Sequence, residues 1–173
     1  MRTNTRIRER RAAALAFLLA VFLAAPAGAE KPRIAMFGFE LIDTSIEGEL
    51  SGPRADEQER LVMISDQLRR ALKESGRYTL VDIAPMRDRI EQAGMLHGCN
   101  GCEADIARTL GADMSMAGTV QKVSNLILNV NIYMRDAATG ELLGTHSVDI
   151  RGNTDASWTR GVSYIVRNRL LAD

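Results

Sequence analysis

Residues 30–173 predict a single α/β domain on a mixed sheet of about five strands. The order is strand, helix, strand, helix, short helix, three strands, helix. Two observations predict it. The first half alternates short apolar runs with helical stripes, which argues for parallel pairing. The second half runs strand into strand through tight connections, which argues for antiparallel pairing. These 144 residues suit one domain with one core.

Residues 1–29 read as a signal peptide outside this domain. Arg2, Arg6, Arg8, Arg10 and Arg11 make a positive start, Ala12 to Ala25 is an apolar run, and Ala27-Gly28-Ala29 supplies the small residues of a cleavage site. The run is short for a membrane-spanning helix. Cleavage is expected between Ala29 and Glu30, leaving a periplasmic protein that does not span the membrane. The chain carries 22 basic and 22 acidic residues, and residues 1–29 hold five arginines and one glutamate. The remainder therefore keeps 17 basic and 21 acidic residues, a net charge of −4. An acidic domain is a poor match for nucleic acid or anionic membrane surfaces.

Arg33 to Glu40 is a nearly continuous apolar run, the pattern of a strand buried on both faces. A long polar connection, Leu41 to Ala55, follows. Asp56 opens the first helix, with Glu59 as its capping-box partner, and Leu61, Ile64, Leu68 and Leu72 form its apolar stripe. Ser75-Gly76 closes it. Arg77 to Ile83 reads as the second strand, and Pro85 suits the first turn of a helix over Met86 to Ala93. Past the cysteine loop, Ala104 to Leu110 reads as a short helix. Asp113 to Val123 and Asn125 to Arg135 read as strands. In the second, Leu126, Leu128, Val130, Ile132 and Met134 fall on one face, and Asn125, Asn129, Asn131, Tyr133 and Arg135 on the other. Asp136 to Gly140 is a tight hairpin connection. Glu141 to Arg151 returns with Leu142, Val148 and Ile150 inward. Asn153, Thr154 or Asp155 caps a last helix whose stripe is Trp158, Val162, Ile165, Val166 and Leu170.

Several stretches carry a resemblance: Phe39 to Ser45, the Cys99-Asn100-Gly101-Cys102-Glu103 loop, Leu110 to Asp113, Val120 to Ile127 and Asp149 to Trp158. Together they resemble a secreted proteobacterial family catalogued as domain of unknown function 2380, or the neighbouring 3280. The resemblance covers nearly all of residues 30–173 and brings no activity with it. More distantly, the strand–helix order and the Asp136-x-x-Thr139-Gly140-Glu141 hairpin look like envelope domains of the curli-secretion lipoprotein, penicillin-binding-protein activator and TolB N-terminal type. That likeness implies a periplasmic adaptor whose partner is another envelope protein.

Three places are candidates for function. Cys99 and Cys102, the two cysteines of the chain, form a Cys-x-x-Cys pair. In an oxidising compartment the first expectation is a disulfide. Its ring is short, so it adds about 2 kcal/mol or less. A redox centre is the alternative if Cys102 lies at a helix N-terminus. A copper or zinc site using His97, Cys99 and Cys102 is the other. Covalent haem is disfavoured because Glu103 stands where the axial histidine would follow.

The second candidate is Asp43, Thr44 and Ser45, which lie past the end of the first strand, where open α/β sheets bind ligands. Local turn chemistry explains the same residues. The third, the polar face with Asn129, Asn131 and Tyr133, suits a hydrogen-bonded partner. His146, the other histidine of the chain, shares strand parity with Leu142 and Val148 and reads as a core or sheet-end histidine rather than a site residue. The sequence contains no phosphate loop, nucleophile elbow or His-Glu-x-x-His motif. No catalytic residue, enzyme activity or resident cofactor is therefore expected.

Overall fold

The fold is built outward from β1 (Arg33–Asp43), in a computed structural model that describes residues 30–172. The expected signal peptide and its cleavage site before Glu30 fall on residues 1–29, outside the described residues. The chain continues through α1 (Ile46–Ser51), α2 (Ala55–Ser75), β2 (Thr79–Leu80), a 3-10 turn (Ala84–Met86) and α3 (Arg87–Ala93). A second 3-10 turn (Leu96–Gly98), α4 (Cys102–Thr109), β3 (Met114–Ser124), β4 (Ile127–Asp136), β5 (Leu142–Arg151) and α5 (Asp155–Ile165) follow. A π-helical turn closes the fold at Val166–Leu170. The sheet order is β2-β1-β3-β4-β5. β1 pairs in parallel with β2 and β3, and β3–β4–β5 is an antiparallel meander. This is the mixed five-stranded α/β domain that the alternation and the late strands predict.

α2 and α5 cover one face of the sheet. Ile34 and Met36 of β1, Leu61, Ile64, Leu68 and Leu72 of α2, and Trp158, Val162 and Ile165 of α5 meet there with Val130 and Ile132 of β4. Alternate β1 residues face the other way: Ala35 packs with Ala107 and Ala112 beneath α4. A strand between two covered faces has no polar side to show, which is why its sequence reads as continuously apolar. The strand also bulges between Met36 and Phe39. Gly38 takes φ +95° there, and a Cβ on it would meet Ser65 Oγ at 3.0 Å. That hydroxyl accepts the Phe39 N–H at 3.0 Å and donates to the Leu61 carbonyl at 2.6 Å.

Several expectations need correction. The connection from Leu41 to Ala55 is not free coil: β1 runs on to Asp43 and α1 occupies Ile46–Ser51. α2 begins at Ala55 behind Arg54, with no side-chain cap, so Asp56 and Glu59 form no capping box. Asp56 is held instead by Arg54 and Arg60, both at 2.9 Å. Of the strand expected over 77–83, only Thr79–Leu80 ladders on β1, because this sheet-edge segment turns into a 3-10 helix at Ala84. Leu126 and Leu142 are exposed rather than inward. Leu126 sits in the β3–β4 turn, and Leu142 follows an irregularity in the β4–β5 register.

The remaining landmarks follow the pattern. Thr154 caps α5 by accepting the Ser157 N–H. Trp158 is buried and donates through Nε1 to Asn153 Oδ1 at 3.0 Å. Asp136 Oδ1 closes the β4–β5 hairpin by accepting the Ala138 and Thr139 N–H groups, which lowers the Asp136 pKa. Among the described residues, no helix is long and apolar enough to cross a membrane.

Candidate functional site

Three constructions lie on the sheet. The first surrounds Lys122 at the end of β3. Asp43 at the end of β1 is its register partner. Lys122 is fully buried, and its Nζ lies 3.0 Å from Asp43 Oδ2, 3.0 Å from Glu47 Oε2 and 2.7 Å from Glu57 Oε1. Asn125 donates to Glu47 at 2.9 Å, and Asn153 to Glu57 at 2.6 Å. Burial alone would lower the Lys122 pKa, but hydrogen bonds to Glu57, Asp43 and Glu47 outweigh it and raise the pKa. For Asp43, burial works upward, while bonds from Ser45 and Lys122 leave its pKa lowered. Glu47 is lowered by the hydrogen bonds of Lys122, Asn125 and Arg54. Among the described residues, the second Glu57 oxygen, Oε2, is buried without a hydrogen-bond partner.

The loop Asp43, Thr44, Ser45 is engaged within this cage. Asp43 Oδ1 accepts the Ser45 N–H at 2.9 Å and its hydroxyl at 2.6 Å, and Ser45 Oγ accepts the Gly48 N–H to cap α1. Thr44 donates its N–H and its hydroxyl to the Lys122 carbonyl. Sequence reasoning missed Lys122 and Glu57, although a signal existed. Lys122 has the strand parity of Met116 and Val120, and Glu57 lies one turn before Leu61 on the buried stripe of α2.

The second construction is the cysteine loop. Cys99 and Cys102 form a disulfide, with Cα atoms 5.6 Å apart. Asn100 and Gly101 take φ of +56° and +100° to close the ring, and Cys102 begins α4. Two carboxylates tie the loop to the sheet. Glu40 of β1 accepts the Leu96 N–H at 2.6 Å and the His97 N–H at 3.1 Å, and His97 Nδ1 lies 3.0 Å from it. Glu103, nearly buried, accepts from Arg135 Nε of β4 at 2.9 Å, and its other oxygen lies 3.6 Å from Cys99 Sγ. Of the three ligands named for a metal, only the two sulfurs come together. The Cys99, Cys102 and Glu103 ligand atoms lie within 4.8 Å of one another, while His97 is drawn to Glu40. Glu40 and Glu103 carry no motif that would mark them in the sequence.

The third is the face of the sheet away from α2 and α5. α4 covers it over β1 and β3 but leaves β4 and β5 open, so Thr145, Ser147 and Asp149 are exposed. The structure places Asn129, Asn131 and Tyr133 side by side here, each half-buried. Asn129 Nδ2 donates to Ser147 Oγ at 3.0 Å and to Asp149 at 2.8 Å, and Asn131 Nδ2 donates to Thr119 Oγ1 at 3.4 Å. His146 lies on the opposite face, register partner of Ile132. Burial, then the Arg169 charge, lowers its pKa. A groove of about 630 Å³ beside β2 is lined by Leu80, Val81, Ile83 and Ile90 and takes in none of these residues.

These features define a class: a small α/β domain on a half-covered mixed sheet, with a disulfide-stapled loop. The chain belongs to the DUF3280 family, described as protein of unknown function (DUF2380), whose profile matches residues 32–170. The family expected from the sequence is therefore met. No curated protein matches the chain. Among solved structures, the C-terminal domain of LpoB from Salmonella enterica is similar with a TM-score of 0.50 at 18% identity, over 78% of this chain and 93% of that one. The Escherichia coli LpoB C-terminal domain gives 0.49 at 18%, over 77% and 92%. Lipoprotein GNA1162 from Neisseria meningitidis gives 0.47 at 16%, over 80% and 95%. The likeness to the Salmonella domain is one of fold.

Proposed function

We propose that the chain is exported and acts in the periplasm as an accessory protein that binds another envelope protein and has no catalytic centre of its own. The observation that carries this reading is the open face of β4 and β5. There Asn129 is bonded to Ser147 and Asp149, and Asn131 to Thr119, beside Tyr133. Pre-ordered amides and a tyrosine recognise a polar protein surface without paying for their own ordering. The leader-like residues 1–29, the sequence resemblance to envelope adaptor domains and the fold shared with an LpoB domain support the compartment. In this reading the disulfide braces the loop beside that face.

A photo-crosslinking residue placed at Tyr133, in cells producing the full chain, tests it. A discrete adduct with one envelope protein is expected from position 133, absent from position 74 on the far side of α2 and lost with Asn131→Arg. No adduct at 133, or a mature protein that does not begin at Glu30 by mass spectrometry, overturns the reading.

A second reading, a redox or copper- or zinc-handling protein, draws on one observation: the closeness of Cys99, Cys102 and Glu103. It predicts that the reduced full chain retains one equivalent of zinc through dialysis and that Glu103→Gln loses it. Equal retention by Cys102→Ser would remove this reading.

A further inference from the structure

A groove of about 400 Å³ runs between β5 and α5, away from the stapled loop and bordering the open face at Asp149. α5 lies close to the strand because residue 161 is glycine: a Cβ there would meet Ile150 Cγ2 at 2.8 Å. Along the groove, Ser157, Arg160, Tyr164 and Arg167 recur at helical spacing.

Among the described residues, the strand side is a free sheet edge. The Gly152 N–H donates to the Leu126 carbonyl at 3.2 Å, which makes this a hydrogen-bonded position of the β4–β5 pairing. Such positions alternate along an antiparallel ladder. Ile150 and Val148 therefore bond to β4, and the main-chain N–H and C=O groups of Asp149 and Ser147 point outward. β5 is ten residues long and contains neither proline nor lysine, two of the usual protections of an exposed edge.

The charge of the groove is one-sided. Arg151, Arg160 and Arg167 line it, and Asp149, the carboxylate among its lining residues, already accepts from Asn129 at 2.8 Å. Among the described residues none of these three arginines forms an ion pair, and Arg160 hydrogen-bonds only to Ser157 Oγ, at 3.4 Å. Arg54, Arg60 and Arg135, by contrast, are each neutralised by a carboxylate.

We propose that β5 accepts an extended acidic segment of a partner protein, added as a sixth strand, with its acidic side chains turned toward Arg160 and Arg167. The spacing fits. Arg160 in α5 and Arg167 in the π-helical turn that follows are seven residues, about two helical turns or roughly 10 Å, apart. Acidic residues at i, i+2 and i+4 of a strand fall on one side and span about 13 Å. Main-chain bonding to the edge supplies the affinity and the arginines choose the sign of charge, as in strand-addition complexes. The arginine side of this surface lies apart from the open face, although the two meet at Ser147 and Asp149, whose side chains bond Asn129; the arginine variants therefore test the inference separately from that reading.

The test uses the full chain and a fluorescent peptide, acetyl-Ser-Glu-Val-Glu-Val-Glu-Ser-amide. Comparison probes are the same peptide N-methylated at alternate amides, its Lys-for-Glu counterpart, and linear polyphosphate as competitor. Two variants accompany it: Arg160→Glu with Arg167→Glu, and Ser147→Pro, which removes an outward N–H and leaves the main-chain β4 ladder; Ser147→Ala, which loses only the hydroxyl bonded to Asn129, is its control. Circular dichroism checks that each is folded. Expected are binding of the glutamate peptide, at least tenfold weakening in each of the two variants and not in the control, and no binding of the N-methylated or lysine peptide. Should Ser147→Pro not fold, the N-methylated peptide carries the edge test alone. Absence of glutamate-peptide binding, or equal binding of the N-methylated form, overturns the proposal. So does displacement by polyphosphate with Ser147→Pro without effect, which would leave a plain polyanion site. Crosslinking from position 133 is expected to be unchanged by the double arginine variant, which separates the two surfaces.

Discussion

The Lys122 cage and the Cys99–Cys102 staple do the same job by different chemistry. Each fastens a connection onto the sheet: the cage holds α1 and the start of α5, the staple holds the turn into α4. The cage is a buried cation shared by three carboxylates from β1, α1 and α2. The staple is one covalent bond between residues three apart. A short ring removes little entropy from the unfolded chain, whereas a buried charge that loses its partner has nowhere to go. The conspicuous motif is thus expected to contribute less to stability than the inconspicuous lysine.

Removing Lys122 is the severest way to break that ordering. Lys122→Ala leaves Glu57 buried without its cation, and a loss of about 3–5 kcal/mol is expected by urea denaturation. Lys122→Met with Glu57→Gln should recover much of it, because the cost lies in the stranded charge rather than in a missing contact.

Acid sharpens the comparison next. Asp43 and Glu47 have lowered pKa values, so the stability they contribute is fully present above their unfolded values and is lost as pH falls below about 4. Lys122 is raised, so its contribution holds below its unfolded value of about 10.4 and is lost only as pH rises through the higher folded value. Urea midpoints should be level from pH 7 to 9, dip slightly toward pH 5 because the lowered His146 pKa disfavours its charged form in the fold, and fall further by pH 3; in Lys122→Met with Glu57→Gln the fall below pH 5 should be shallower. The disulfide has no titrating group and should contribute equally at both ends.

Glu40→Ala comes third. It strips the Leu96 and His97 N–H groups of their acceptor, at about 1.5–3 kcal/mol for hydrogen bonds to a charged group. Amide exchange should quicken at Leu96 and His97 and not at the cage. Cys99→Ser with Cys102→Ser should cost about 2 kcal/mol or less. A larger loss than that of Lys122→Ala would reverse the ordering.

The open face shows what the sequence makes legible. Alternation in β4 separates Leu128, Val130, Ile132 and Met134 from Asn129, Asn131 and Tyr133, and the structure buries the first set and leaves the second half-open. Leu126 breaks the same alternation without warning, because the strand gives way to a turn there. The pairing of the two cysteines is equally visible, since a neighbour three residues away is within reach in almost any fold.

The amino-acid order alone determined the element types apart from α1 and most of the 77–83 segment, the two-sided burial of β1, the stripes of α2 and α5, and the cysteine pair. All of these follow from local periodicity or short chain separation. Only the tertiary structure decided that Asp43, Glu47, Glu57 and Lys122 share one site, that Glu40 holds the stapled loop, and that β5, among the described residues, keeps a free edge beside arginines without an ion pair. Charges 65 to 79 residues apart meet only when parallel pairing sets the ends of β1 and β3 together, and no local pattern encodes that register.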